Sequence, residues 1–123
     1  MAIKKETSET RSTPRSSEPC WKIASRPRNA LHIELRSGRS LLLPYMHWLH
    51  AELETVEQDE QLKISFTTHD VVLRGKNLKE ILAELQGCNV ELLREIPQRY
   101  HALANGKVLI ASITVIEQGA ESL

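Results

Sequence analysis

The chain has 123 residues, of which 41% are hydrophobic and 26% charged, a composition that fits one domain with a tail and leaves no room for two cores. Sixteen Lys plus Arg balance sixteen Asp plus Glu, so the molecule as a whole is neither a polycation for nucleic acid nor an acidic solvating chain. No apolar run reaches the roughly 18 to 20 residues that cross a bilayer, no CxxC pair offers a cysteine-rich zinc site, and the two thiols, Cys20 and Cys88, are expected to stay free.

Residues 1 to 29 read as a basic, Ser/Thr/Pro-rich N-terminal arm, rich in Thr7, Ser8, Ser16 and Ser17 with Pro14 and Pro19, and expected to be disordered because so little apolar surface could offset its ordering entropy. Trp21 and Ile23 are its candidate docking residues. It also lacks the apolar stretch of a secretory signal, so a cytoplasmic location is expected. The first thirty residues carry seven basic against three acidic side chains, a charge of +4, and the remainder carries −4. Such an arm either reaches an anionic partner or rests on its own domain by salt-screened attraction.

Residues 30 to 118 are expected to form the compact domain, with 119 to 123 a short tail. Leu31, Ile33 and Leu35 alternate with His32, Glu34 and Arg36, the pattern of a strand with one face in a core. Ser37-Gly38 sits at a hairpin turn, and a second strand follows through Leu41, Leu42 and Leu43. Pro44 has no N–H for a ladder, so a bend, a bulge or a sheet edge is expected there. The segment 45 to 53 fits either strand or helical turn, and the acidic run 54 to 61 reads as an exposed loop. Leu62, Ile64 and Phe66 then alternate into a second hairpin returning through Val71 to Arg74. Asn77 resembles an N-cap with Glu80 three residues on, and Leu78, Ile81, Leu82 and Leu85 make one helical stripe, predicting a helix over 77–86 that ends at a left-handed Gly87. Val90 to Leu92 and the β-branched Val108 to Ile116 read as the last strands. The sum is an α+β fold: a small antiparallel sheet or partly closed barrel of five or six short strands packed on one helix.

Candidate chemistry is sparse, and no motif implies a cofactor. His47 and His50 are three apart, so on a helical turn they could share one metal ion, and on a strand they would part to opposite faces. His69-Asp70 lies in a turn, where Asp normally caps backbone N–H groups. No nucleophile elbow or glycine-rich phosphate loop is present. Tyr45, Met46, Trp48 and Leu49 form a cluster of large side chains in a chain poor in aromatics; they either complete the core or make an interface centre.

The run Val71-Val72-Leu73-Arg74-Gly75-Lys76-Asn77-Leu78 is similar to the second signature of Sm-like RNA-binding proteins, in which an apolar strand runs into Arg-Gly and an amide-bearing residue. The Leu31 to Tyr45 hairpin is also similar to the first two strands of such barrels. The resemblance implies a ring whose pore contacts RNA, with Arg74 and Asn77 facing the bases and phosphates. The chain departs from that family where Pro44 to Trp48 replaces its first Asp and Asn signature, and where more than 40 residues follow Arg74-Gly75.

Three functions follow as expectations. The leading one is a small non-enzymatic interaction domain that associates with itself or another protein through Tyr45, Met46, Trp48 and Leu49, or through a sheet edge, with no membrane contact. The second is an RNA or DNA binder using Arg74, Lys76, Asn77 and the arm's Arg11, Arg15, Arg26 and Arg28, with affinity falling steeply in salt. The third is a metal-dependent or small hydrolytic enzyme using His47, His50 and His69.

Overall fold

The structure, a computed structural model, describes residues 19–98, 100–101 and 106–118. Among these residues eight strands and one short helix follow one another: β1 (Trp21–Ile23), β2 (Ala30–Glu34), β3 (Ser40–Pro44), a 3-10 turn (Tyr45–His47), β4 (Trp48–Val56), β5 (Asp59–Phe66), β6 (His69–Lys76), α1 (Lys79–Leu85), β7 (Val90–Arg94) and β8 (Leu109–Glu117). They form two four-stranded sheets, ordered β1-β7-β2-β3 and β4-β5-β6-β8. The fold is therefore mostly β with one helix, and it holds more strands than the five or six expected.

The first sheet grows from the hairpin that alternation foretells. Gly38 takes a φ of 97°, which only glycine adopts freely, and the turn closes with Leu35 N–H donating to the Arg39 carbonyl at 2.8 Å. Leu31 pairs with Leu43 and Ile33 with Leu41 across β2 and β3. On the other side of β2, β7 runs parallel, and β1 then pairs antiparallel to β7. Two neighbouring strands of this sheet, β1 and β7, thus come from distant parts of the chain. The stretch from Pro19 to Asn29, expected to belong to the arm, supplies β1 and the buried Cys20. The rest of the expected arm, residues 1–18, and the expected tail, residues 119–123, lie outside the described residues.

The second sheet corrects the acidic loop expected over 54–61. β4 and β5 form a continuous hairpin with Val56 opposite Asp59, turning at Glu57 with a φ of 60°. A glutamate is an unusual occupant of the left-handed region, so the sequence carries no turn signal there. The undecided segment 45–53 resolves into the 3-10 turn followed by strand. Pro44 ends β3 at a sheet edge, where its missing N–H costs no ladder bond.

The helix is shorter than expected, Lys79–Leu85, and it is not capped as the sequence suggests. Asn77 adopts a φ of 58° to turn the chain out of β6, and its Nδ2 donates to the Lys107 carbonyl at 2.9 Å instead of its oxygen capping the helix. Glu60 Oε1 takes the N–H of Leu78 at 2.7 Å. At the other end the left-handed residue is Cys88 with φ 57°, one position after Gly87. Cys88 N–H donates to Leu85 and Asn89 N–H to Glu84, the two bonds of a Schellman ending.

Both sheets and the helix bury one common core. Leu31, Ile33 and Leu93 enter it from the first sheet, Leu62, Ile64, Phe66, Leu73 and Ile110 from the second, and Leu78, Ile81 and Leu85 from around the helix. Gly75 permits the close approach of β6 and β8, because a Cβ there would lie 1.8 Å from the Leu109 carbonyl oxygen. The sheets are joined at one corner. Ile96 N–H donates to the Ile110 carbonyl at 2.9 Å, and the Glu95 carboxylate accepts Arg36 N–H at 2.9 Å and Ile113 N–H at 2.7 Å.

Two stability measurements follow. Replacing Glu95→Ala strands the Ile113 N–H and frees the hairpin tip, and chemical denaturation should show a loss of about 2–3 kcal/mol. Replacing Glu57→Gly relieves the left-handed strain at an exposed turn and should add about 0.5–1 kcal/mol to the unfolding free energy in the same assay.

Candidate functional site

The four residues expected to form a contact divide into two pairs. Tyr45 is buried, and its hydroxyl donates to the Val90 carbonyl at 2.7 Å, tying the 3-10 turn to the first sheet. Burial also holds that phenol strongly in its neutral form, well above the usual tyrosine range. Trp48 is half-buried; its ring meets Tyr45 edge-on at 6.1 Å, and its Nε1 donates to the His50 carbonyl at 3.0 Å. Met46 and Leu49 instead stand in solvent at 85% and 61% exposure. Leu49 is the extra residue where the β4–β5 register shifts between Trp48 and His50, which turns it away from the core.

His47 sits on the 3-10 turn and His50 on β4, so the two occupy different elements, and both are exposed. His50 lies opposite Ser65. Among the described residues no group of three or more His, Cys, Asp or Glu side chains is arranged to hold a metal ion.

The residues of the nucleic-acid reading are spread over two surfaces. Arg74 lies on the outer face of the second sheet, between Gln61 on β5 and Ser112 on β8. Lys76 Nζ is committed to Asp59 at 3.0 Å and to the Gln58 carbonyl at 3.0 Å, and Asn77 to Lys107. Arg26 and Arg28 belong to the segment between β1 and β2, on the other sheet. Because the sheets share a core, their outer faces point in opposite directions, and the two basic groups do not converge on one ligand.

A concave site that the sequence did not disclose lies on the outer face of the first sheet, a groove of about 600 Å³. Its floor is one row across four strands. Lys22 on β1 pairs with Leu92 on β7, Leu92 with His32 on β2, and His32 with Leu42 on β3. Pro27, Arg28 and Asn29 raise one wall. That wall is held by Arg28 N–H donating to the Cys88 carbonyl and by Tyr45 N–H donating to the Asn29 carbonyl, each at 2.8 Å. On the other side Arg94 Nε lies 3.3 Å from Glu34 Oε1, with His32 Nε2 3.9 Å from the same carboxylate. Within this row Leu92 is buried, whereas Leu42 is 67% exposed at the edge strand. Among the described residues neither Lys22 nor Arg28 has an ion-pair partner. Alternation did turn His32 and Glu34 outward in the sequence; only the strand order brings Lys22 and Leu92 beside them.

No family model, curated protein or solved structure matches this chain. No helix among the described residues is long and apolar enough to cross a membrane.

The two free thiols differ in environment. Cys20 is buried with its Sγ 3.4 Å from the Val108 carbonyl, and desolvation pushes its ionisation upward; Cys88 is half-buried. A thiol whose folded ionisation is raised binds its proton longer in the native state than in the unfolded chain. Its contribution to stability is therefore full below the ordinary thiol range of about 8.5 and declines as pH rises above it. Iodoacetamide at pH 8 should alkylate Cys88 well before Cys20 in the native protein, read by peptide mass mapping, with equal rates once the chain is unfolded.

Proposed function

We propose that this chain is a small non-enzymatic interaction domain that associates with a second copy of itself through Met46 and Leu49. The observation that carries the reading is the pairing of two large apolar side chains in solvent with two aromatic neighbours locked beneath them. Tyr45 and Trp48 are fixed by hydrogen bonds to Val90 and His50, so the turn that presents Met46 is rigid, and a rigid apolar contact loses little entropy on docking. A second copy is the favoured occupant because the formal charge of the chain is zero, which removes long-range repulsion between copies. A two-fold contact would also set each apolar pair against its own equivalent. The free edge of β4 starts in the same place, while Pro44 at the end of β3 leaves that neighbouring edge one donor short.

The nucleic-acid and metal-dependent readings have no comparable support. Two of the three polar side chains of the Arg74 group are engaged within the fold, and His47 and His50 occupy different elements.

Sedimentation equilibrium tests the reading. The unaltered chain should show a monomer–dimer equilibrium, and the double substitution Met46→Ser, Leu49→Ser should weaken it by about 2–4 kcal/mol, as expected of apolar interface anchors, without altering thermal unfolding of the monomer. A chain that remains monomeric to high micromolar concentration would overturn it.

A further inference from the structure

We infer that the groove on the outer face of the first sheet is a second binding site, and that it takes a short extended peptide with a carboxylate at the Lys22 and Arg28 end and an aliphatic side chain against Leu42.

The order of groups along the floor sets this chemistry. Lys22 stands at one end of the row and Arg28 on the wall of the same groove, and no carboxylate among the described residues forms an ion pair with either. Among the described residues two acidic side chains line the groove: Glu34, which is engaged by Arg94, and Glu91, which forms no ion pair with Lys22 or Arg28. An anionic group therefore gains two cations there, and a cationic one would meet them unfavourably. At the far end Leu42 offers apolar surface at 67% exposure on the edge strand. Between the ends, His32 and the Arg94–Glu34 pair present polar atoms to the groove.

That middle separates a peptide from a plain acyl chain. A hydrocarbon laid across it would cover the imidazole and the ion pair without hydrogen-bonding them, whereas backbone amides can satisfy them. The length fits as well. Four strands side by side span three gaps, about 14 Å at the usual strand spacing, which is the reach of about four extended residues. Leu92, 5% exposed, and the wall fixed by the backbone bonds of Arg28 and Asn29 make the site preformed, so little ordering is needed when it fills.

The test is a titration of the ¹⁵N-labelled full chain with the acetylated tetrapeptide Leu-Ala-Ala-Ala bearing a free C-terminal carboxylate, and in parallel with its C-terminal amide. The expected result is a shift of the amide resonances of Lys22, His32, Leu42 and Leu92, with the acid binding about fivefold more tightly than the amide, as an exposed charge contact allows. The double substitution Lys22→Gln, Arg28→Gln should erase that preference. Both side chains are exposed, and Arg28→Ala alone provides a milder variant should the pair disturb the spectrum. Equal binding of acid and amide, or shifts confined to other surfaces, would overturn the site. Octanoate binding as tightly as the peptide would overturn its assignment to a peptide. These variants leave Met46 and Leu49 unchanged, so the groove and the self-association surface stand or fall separately.

Discussion

The carboxylate of Glu95 ties the two sheets together at one corner, beside the Ile96–Ile110 backbone bond and the Arg39–Glu117 ion pair. One of its oxygens takes the N–H of Arg36 at the tip of the β2–β3 hairpin, and the other takes the N–H of Ile113 in β8. A charged acceptor makes a stronger bond than a neutral one, and this side chain is only 12% exposed, so the part-buried Ile113 N–H depends on it more than the solvent-exposed Arg36 N–H does. The adjoining bond from Ile96 to Ile110 extends the corner by one backbone pair. With that corner closed, the inner faces of both sheets meet in one core, and Leu78, Ile81 and Leu85 fill it.

The parts of the fold that the sequence makes legible are those whose cause is local. Leu31, Ile33 and Leu35 alternate because one face is buried, and Ser37-Gly38 marks its turn because Gly38 needs a positive φ. The stripe of Leu78, Ile81 and Leu85 is equally plain. What escapes reading has a non-local cause, or places an ordinary residue in an unusual conformation. Glu57 and Cys88 take left-handed φ values without being Gly or Asn, and so hide a hairpin and a helix ending. Asn77 has the residue type of a cap, but its side chain reaches Lys107, thirty positions away in the chain.

The candidate site divides along the same line. The segment Tyr45 to Leu49 could be singled out from its aromatics alone, but not the division of labour within it. Tyr45 faces Val90 and Trp48 packs on Tyr45 because the 3-10 turn and the register shift after it reset the alternation, leaving Met46 and Leu49 outside. The groove could not be read at all. Its four floor residues come from four strands, and no periodicity announces that residue 22 will lie beside residue 92. Strand order, decided by how the whole chain packs, is the information that a sequence pattern does not contain.

The parallel pairing of β2 with β7 carries a consequence for how the molecule is made. His32 and Leu92 are neighbours in the sheet but sixty residues apart in the chain. The β4-β5-β6 meander closes with short turns and can assemble early, whereas the first sheet has to wait for β7 to emerge and pay the entropy of a long loop before its centre exists. Until then the β2–β3 hairpin has an open edge and bare leucines on its inner face, the kind of surface that draws chains together during refolding. The pairing of β2 with β7 across sixty residues thus makes the first sheet the more non-local of the two, and by the dependence of folding rate on sequence separation the slower to nucleate.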